Sequence, residues 1–349
     1  MSAIKIEDYG DGVRGIVFDR QGSTHNFISR EVVKELHGVV RSLTLDKDVK
    51  GVVITSAKKS FLVGGDLKEL RSLKSSEEAA EIISDVQACM RAIERAEKPF
   101  VAAINGSALG GGLEIALSCT YRVASDDPTV KMGLPEVSLG LMPGGGGTQR
   151  LPRLTGLAAA LPIIVENRLV TPGKALEIGL VDEIVAGRDL TIRAKESIRS
   201  GVAPADQPWD RDAFNLPGVL PDSSEGIDIL QAMWTKLRQK KPGLEPAPEA
   251  ILEVVEKGLL TGFEEGLLLE REKFASIAAS PSVKNKIRTL FVGLNEAQRM
   301  KNRPKDIHPY EIKSVSVVGI GQMGSGIAYC AALAGYEVIL LEKERDRLE

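Results

Sequence analysis

Two glutamates, Glu114 and Glu136, each lie beside a run of glycines, and this combination could support acid–base chemistry. Glu114 follows glycines 110–112 at the start of an apolar segment, and Glu136 lies in an apolar stretch ahead of glycines 144–147. A carboxyl group removed from water has a raised pKa, which brings it towards the range useful for proton transfer. Glycines at a helix start present backbone N–H groups to a polarised or anionic oxygen. The pattern therefore indicates proton transfer beside an amide-lined oxygen site.

A further glycine segment, FLVGGD at residues 61–66, follows a predicted strand at 51–55. Its two glycines would let the backbone approach a ligand closely. Each of these features also has an ordinary explanation. The segment at 61–66 is compatible with a simple turn into a helix at 67–73, and glycines 110–112 with close strand-to-helix packing. Both glutamates are compatible with solvent-facing positions, since acidic residues are common in the first turn of a helix.

The elements that must position these segments alternate between β-rich runs and longer runs with helical periodicity, which predicts an α/β layer structure. The predicted strands are 13–18, 51–55, 100–104 and 121–124. The predicted helices are 31–42, 67–73, 77–96, 113–119, 157–168, 248–260 and 266–279. Pro162 should kink its helix or mark the first turn, and the proline-rich stretch 202–222 should be irregular.

The composition excludes several classes of protein. At 349 residues, 43% of them hydrophobic, the chain can bury a sizeable core and form more than one domain. A net charge of -3 gives no basic excess for nucleic acid or a polybasic membrane patch. Cys89, Cys119 and Cys330 are widely spaced in apolar stretches, which argues against a disulfide framework or a zinc site. No apolar run approaches the roughly 18 residues that span a bilayer, so a soluble, cytoplasmic protein is expected.

Taken together, the three glycine segments resemble the enoyl-CoA hydratase/isomerase (crotonase) superfamily. Its members show F-x-x-G-x-D, then N-G-x-A-x-G-G-G-x-E, then P-E-x-x-L-G-x-x-P-G-x-G-G-T-Q-R-L. This chain carries all three in that order, beginning at Phe61, Asn105 and Pro135. The resemblance implies an α/β fold with a crotonase-type ββα spiral core and C-terminal helices.

The resemblance also implies roles for individual residues. The N–H groups of Gly65 and Gly111 would hold the thioester oxygen, and the catalytic carboxylates would be Glu114 and Glu136. The acyl-CoA loop would comprise Val63, Gly64, Asp66 and Leu67. Thr120 stands where many members have Asp, and Gly65 where Ala is usual, but neither departure removes a required donor or acid.

The implied reaction is the addition of water across 2-trans-enoyl-CoA to give 3-hydroxyacyl-CoA, a step of fatty-acid β-oxidation that needs no cofactor. Charge builds up on the thioester oxygen, and one amide donor at such a site is typically worth about 3 kcal/mol of barrier. Glu136 would transfer the proton at C2 and Glu114 would deprotonate the water. One glutamate would suffice for 3-enoyl to 2-enoyl isomerisation, so the pair favours a hydratase. The alternatives are thioester hydrolysis, decarboxylation, or a non-catalytic assembly role for a thiolase partner.

The end of the chain contains a second motif. Residues 315–328 read as a strand, a G-x-G-x-x-G turn and a helix, and 338–341 as a second strand before Glu342, which is typical of a dinucleotide-binding fold. The segment resembles the NAD-binding domain of 3-hydroxyacyl-CoA dehydrogenases, as fused behind a hydratase in bacterial multifunctional fatty-acid oxidation α-subunits. The 22-residue spacing from Glu114 to Glu136, with its additional residues at 126–128, also resembles that branch. The implied NAD contacts are Gly319, Gly321, Met323, Gly324 and Glu342.

The expected organisation is a crotonase core at 1–190, a helical extension and linker at 191–311, and the truncated start of a Rossmann domain at 312–349. His25, His37 and His308 all precede the glycine turn, so none matches the dehydrogenase base. Dehydrogenase activity is therefore not expected, and NAD would serve the parent enzyme. The expected partners are acyl-CoA, a thiolase subunit and further copies of the chain, since single-domain relatives are trimer-based.

Overall fold

The chain folds as two units, residues 2–294 and 295–344, here called the N-terminal and C-terminal units. The computed structural model describes residues 2–240, 246–300, 303–304, 306–307 and 310–344. His308, expected in a linker, lies outside these described residues.

The strands of the N-terminal unit are β1 (Ile4–Gly10), β2 (Val13–Phe18), β3 (Gly51–Ser56), β4 (Leu62–Val63), β5 (Phe100–Ile104), β6 (Ala108–Leu109), β7 (Tyr121–Ser125), β8 (Met132–Gly133) and β9 (Glu183–Val185). Its helices are α1 (Arg30–Leu45), α2 (Leu67–Ser72), α3 (Ser76–Glu94), α4 (Gly111–Ser118), α5 (Gly147–Thr155), α6 (Leu157–Ile164), α7 (Pro172–Glu177), α8 (Leu190–Arg199), α9 (Ser224–Lys240), α10 (Pro246–Leu260), α11 (Phe263–Ala278) and α12 (Pro281–Lys286), followed by a π-helix at Ile287–Gly293. Helix α13 (Leu294–Gln298) begins at the boundary. The C-terminal unit contains β10 (Ser314–Val318), α14 (Gln322–Leu333) and β11 (Glu337–Leu341).

A six-stranded sheet with the order β1-β2-β3-β5-β7-β9 forms the centre of the N-terminal unit. The pair β1 and β2 is antiparallel, and all the other neighbours are parallel. Every residue of β3, β5 and β7 is buried, because α8 packs on one face of the sheet and a larger helical layer on the other. Burial on both faces explains why these strands are apolar at successive positions rather than at alternate ones.

A second, three-stranded parallel sheet has the order β4-β6-β8. Each strand has only two residues, too few to show a periodic pattern, and the sequence did not predict them. Their pairing aligns Leu62 with Ala108 and Ala108 with Met132. This small sheet places the three glycine-rich segments side by side.

The structure shifts the ends of several predicted helices, and those at 157–168 and 77–96 end more than one residue earlier than predicted. The helix expected at 157–168 continues through Pro162 and ends at Ile164, and Asn167 just beyond it has φ +58°, a left-handed conformation that does not continue a helix. The helix expected to begin at 77 begins at Ser76, with Ser75 as its cap, and ends at Glu94. The irregular stretch at 202–222 contains a short 3-10 turn, where Trp209 stacks on Phe263 with ring centroids 5.2 Å apart.

A buried ion network fixes the start of α5 against α3. The guanidinium of Arg150 is fully buried and donates from Nε and Nη2 to the two carboxylate oxygens of Glu94, at 2.6 and 2.9 Å. Its Nη1 donates to the carbonyl of Gly145 at 2.6 Å. Removing one partner of such a pair strands a buried charge and typically costs about 3–5 kcal/mol. The glycine-rich loop before α5 is therefore held in place.

The C-terminal unit is a parallel βαβ arrangement in which Ser314 to Val318 of β10 pair with Glu337 to Leu341 of β11. This confirms the predicted strand, glycine turn, helix and second strand. Together with the N-terminal unit it confirms the α/β fold class.

Candidate active site

The small sheet brings the predicted site residues together, because each of its strands ends just before one of them. Gly65 follows β4, Gly111 follows β6, and Glu136 lies three residues after β8. Since the three strands are parallel, their carboxyl ends meet at one edge, where ligands commonly bind in parallel sheets. Three segments separated by tens of residues thus converge on one place.

The backbone at Gly64 and Gly65 is turned so that one amide faces this edge. The carbonyl of Gly64 accepts from the N–H of Ile28 at 2.9 Å. The peptide linking Gly64 and Gly65 is trans, so the N–H of Gly65 points opposite to the Gly64 carbonyl, away from Ile28. Gly64 has φ +78°, a left-handed conformation that glycine adopts without strain.

The amide of Gly111 is the second candidate donor, at the first position of α4, where a helix leaves its N–H groups unpaired. The preceding residue, Gly110, has φ +55°. A Cβ at Gly110 would lie 2.6 Å from Oε1 of Glu136 and 3.3 Å from Cα of Gly64. The glycine is thus required both by the backbone conformation and by the close approach of the site residues. Close strand-to-helix packing, the ordinary explanation for glycines 110–112, applies to Gly112, where a Cβ would meet the carbonyl of Leu62.

Glu114 lies in the first turn of α4 and is 3% exposed, so it does not occupy a solvent-facing position. Its Oε1 accepts from the N–H of Gly147 at 2.8 Å. Burial, together with the negative charges of Glu270 and Glu136, raises the pKa of Glu114 well above its ordinary value, while the Gly147 amide and Arg150 oppose the shift. Glu114 is a buried carboxyl group that is held through one oxygen.

Glu136 lies on a 3-10 turn, Pro135–Leu139, and is partly buried. Its Oε2 is buried and has no hydrogen-bond partner among the described residues. Burial raises the pKa of Glu136 to about 7, and the charge of Glu270 contributes to the shift. A buried, unpaired oxygen on a group that titrates near neutrality suits proton exchange with a bound molecule.

The loop residues assigned to acyl-CoA flank this edge of the sheet. Val63 belongs to β4 and pairs with Leu109, and Leu67 begins α2 and packs partly buried against the core. Asp66 caps α2, since its carboxylate accepts from the N–H groups of Lys68 and Glu69. Asp66 therefore has a structural role in shaping the loop.

The residues assigned to NAD lie in the C-terminal unit at the end of β10 and the start of α14. Gly319 has φ +84°. A Cβ at Gly324 would lie 1.8 Å from the carbonyl oxygen of Gly319, so the turn requires both glycines. Gly321 is the cap residue of α14, and Met323 is mostly exposed. Glu342 follows β11 and accepts from the N–H of Ile320 at 2.9 Å. These residues have the arrangement of a nucleotide-binding turn, with the acid held against it.

The sequence did not reveal a third carboxyl group at the candidate site, Glu270 of α11, which is fully buried. Its Oε1 accepts from the N–H of Gly146 at 2.6 Å, and its Oε2 accepts from the N–H of Thr148 at 3.0 Å. Glu270 lies in the charged run EREK at 270–273, which has the appearance of a solvated helix face. The sequence contains no local signal that distinguishes this glutamate from its exposed neighbours.

Cys89, Cys119 and Cys330 are free, and burial raises the pKa of the Cys89 and Cys119 thiols to about 12. Within the described ranges, no group of three or more His, Cys, Asp or Glu side chains is placed to hold a metal ion. In the same part of the chain, no helix has both the length and the apolar character needed to cross a membrane.

Comparison with known proteins agrees with this geometry. The family model for enoyl-CoA hydratase/isomerase matches residues 8–205, more than half of the chain. The model for the NAD-binding domain of 3-hydroxyacyl-CoA dehydrogenase matches residues 314–349. The fatty acid oxidation complex subunit alpha of Shewanella halifaxensis is 36% identical over 320 residues, covering 91% of this chain and 44% of that protein. The chain thus spans less than half the length of this relative.

Two solved structures show the same fold. An enoyl-CoA hydratase from Bacillus anthracis is 25% identical, with 89% of this chain and 100% of that chain covered and a TM-score of 0.54. The human mitochondrial delta3-delta2-enoyl-CoA isomerase is 23% identical, with 85% and 100% covered and a TM-score of 0.62, which supports the fold alone. The predicted resemblance is confirmed: the chain belongs to the enoyl-CoA hydratase/isomerase family and carries a segment of a 3-hydroxyacyl-CoA dehydrogenase NAD-binding domain behind it.

Proposed function

We propose that the chain hydrates 2-trans-enoyl-CoA to 3-hydroxyacyl-CoA, with Glu114 and Glu136 as the catalytic carboxyl groups. The observation that carries this proposal is the burial of both groups at the edge where Gly64–Gly65 and Gly110–Gly111 meet. In the proposed reaction, water oxygen bonds to C3, C2 gains a proton, and charge gathers transiently on the thioester oxygen. The N–H groups of Gly65 and Gly111 stabilise that oxygen.

The hydrogen bonds support different roles for the two acids. The Gly147 amide opposes the rise in the pKa of Glu114, so we assign Glu114 the role of the base that takes a proton from water when the shared proton lies on Glu136. Glu136 has a buried oxygen without a described partner, which favours its neutral form, so it donates the proton to C2. The two carboxyl groups titrate as a pair, and the reactive state holds one proton between them. A proton passed from Glu114 to Glu136 after turnover restores the starting state.

Loss of the conjugated enoyl absorbance of crotonyl-CoA tests this function. Glu136→Gln keeps the shape of the side chain but removes the exchangeable proton, and we expect turnover to fall by roughly 10²–10⁴-fold. Glu196→Gln, on the exposed side of α8, is the matched control and should turn over like the wild type. If the wild type and Glu136→Gln were equally inert, the hydratase proposal would fail.

The same carboxyl groups support 3-enoyl to 2-enoyl isomerisation as a companion activity, since a double-bond shift requires one proton-transfer group. We expect Glu114→Gln to reduce hydration more than double-bond migration, because only hydration requires an activated water. Parallel assays with 2-enoyl-CoA and 3-enoyl-CoA measure both rates. Equal losses would show that the two glutamates do not divide the work in this way.

The remaining assignments are also proposals. Acyl-CoA would lie along the loop of Val63, Gly64, Asp66 and Leu67. In a protein as long as the Shewanella relative, Gly319, Gly321, Met323, Gly324 and Glu342 would contact NAD for a dehydrogenase step. A thiolase subunit as partner and a cytoplasmic location accord with a role in fatty-acid oxidation. Solution mass measurements with and without a candidate thiolase test the partner.

A further inference from the structure

Glu270 is placed to control the loop that holds Glu114. Three consecutive N–H groups at the start of α5 are bound by two carboxylates: Gly146 and Thr148 donate to Glu270, and Gly147 between them donates to Glu114. The hydroxyl of Thr148 also donates to Glu270, at 2.5 Å. The position of the amide that binds Glu114 therefore depends on its two neighbours being held.

This arrangement replaces an ordinary helix cap. The cap residue of α5 is Gly146, which has no side chain to accept from the first N–H groups. Those groups carry the positive end of the helix dipole and require an acceptor when buried. Glu270 supplies that acceptor, although it lies 124 positions from Gly146 in the sequence. Glu270 also lies outside residues 8–205, the region that the hydratase/isomerase family model matches.

Gln87 of α3 ties the same loop to α11. Its Nε2 donates to the carbonyls of Gly144 and Leu267, each at 3.0 Å, and to Oε1 of Glu270 at 3.3 Å. Four groups donate to the Glu270 carboxylate, namely the Gly146 and Thr148 amides, the Thr148 hydroxyl and Gln87 Nε2. Burial raises the pKa of Glu270, and the hydrogen bonds from Gly146 and Thr148 together with the charge of Arg150 oppose that rise and favour the ionised form immediately behind the start of α5.

We propose that Glu270 is a positioning residue that holds the first turn of α5, and through it the Gly147 amide and Glu114, in the reactive arrangement. The proposal rests on the proposed hydratase function. The positioning proposal also has an electrostatic consequence, because the charge of Glu270 opposes ionisation of Glu114 and Glu136. Arg150 is the opposing positive group, and it is already paired with Glu94.

The test uses three variants of the full chain and the pH dependence of crotonyl-CoA hydration. Glu270→Gln removes the charge and places an amide donor against donor groups. We expect kcat to fall about 10–100-fold, as a small misplacement of a reacting group does, with a smaller change in KM. We also expect both limbs of the pH profile to move about one unit to lower pH, since a like charge is lost.

Thr148→Val removes the two hydrogen bonds of the hydroxyl, the one donated to Glu270 and the one accepted from Gln149 Nε2, but leaves the charge of Glu270. We therefore expect kcat to fall less and the pH limbs to stay in place. Glu272→Gln, an exposed glutamate on the same helix, is the control and should match the wild type. If the kcat of Glu270→Gln matched that of Glu272→Gln, the positioning role would be wrong, and unmoved pH limbs would refute its electrostatic consequence.

Amide hydrogen exchange over residues 144–150 separates this inference from the hydratase proposal. Faster exchange in Glu270→Gln than in Glu272→Gln would support the positioning role even in a chain that did not hydrate crotonyl-CoA. Unchanged exchange in that segment would overturn it, whatever the activity of the wild type. Far-UV circular dichroism of each variant establishes that the comparison is made on folded protein.

Discussion

Strands of similar composition have different surroundings in the two units. In the N-terminal unit, β5 (FVAAI) is buried at every position, whereas in the C-terminal unit β11 (EVILL) is exposed at four of its five positions. Helices cover both faces of the six-stranded sheet, while α14 covers the two described strands of the C-terminal unit. Apolar sequence therefore predicts a strand, but burial depends on the layers that cover it.

The two glycine turns also differ in how far the surrounding structure encloses them. Each unit has a glycine-rich turn at a helix start with an acidic residue beside it. In the N-terminal unit the acid is Glu114, which is enclosed and has a raised pKa. In the C-terminal unit the acid is Glu342, which accepts from the Ile320 amide at an exposed turn. Because Glu114 is enclosed, its arrangement is the one that forms a candidate reaction site.

The largest expected effect is on stability. Ile54 of β3 is fully buried, whereas Ile339 of β11 is 52% exposed. We expect Ile54→Ala to cost about 4 kcal/mol of unfolding free energy, because it leaves a cavity in a packed core. Ile339→Ala should cost less than about 1 kcal/mol. Chemical denaturation of both variants, followed by probes in each unit, measures the difference. Equal losses would show that the two sheets are equally well packed.

The next effect is on catalysis. In Gly110→Ala the new Cβ would be strained at φ +55° and would collide with Glu136, so hydration should fall about a hundredfold or more. Gly326→Ala is the matched change in α14, where a Cβ meets no atom within 4 Å. It should leave hydration unchanged and add up to about 1 kcal/mol of helix stability. Crotonyl-CoA turnover of the two variants compares the turns directly, and equal rates would contradict the site geometry.

A third effect links stability to pH. The pKa of Glu136 is raised to about 7, so its neutral form stabilises the fold at acidic pH and this contribution is lost as pH rises through 7. Glu136→Gln cannot ionise, so its stability at pH 8 relative to pH 5 should exceed that of the wild type by on the order of 2 kcal/mol. Denaturation of both proteins at the two pH values provides the measurement. An identical pH dependence would show that Glu136 titrates as an ordinary surface acid.

The smallest expected effect is the binding of NAD to the C-terminal unit. Two strands and one helix provide the glycine turn but few of the surfaces that enclose a dinucleotide, so NAD should bind this chain only at millimolar or weaker affinity. Calorimetric titration with NAD checks this expectation. Micromolar binding would show that the C-terminal unit is already a complete cofactor site.

Much of the candidate site could be predicted from the sequence because its residues lie in short contiguous motifs. The three motifs indicated Gly65, Gly111, Glu114 and Glu136, whose roles stay predictions, and the strands at 13–18 and 100–104 were predicted with their observed bounds. The two-residue strands of the small sheet could not be predicted, since their pairing is with distant segments. Glu270 was missed for the same reason, because its burial depends on α11 packing against α3 and α5. Long-range packing, rather than local propensity, determines these features.

The pH dependence of kcat/KM for crotonyl-CoA hydration tests the central claim most directly, namely that burial converts two glutamates into an acid–base pair. At low pH both carboxyl groups are protonated and no base remains, and at high pH both are ionised and no acid remains. Because burial raises both pKa values, the acidic limb should lie well above pH 4.5. An acidic limb near pH 4.5, or a rate independent of pH in this range, would contradict the account.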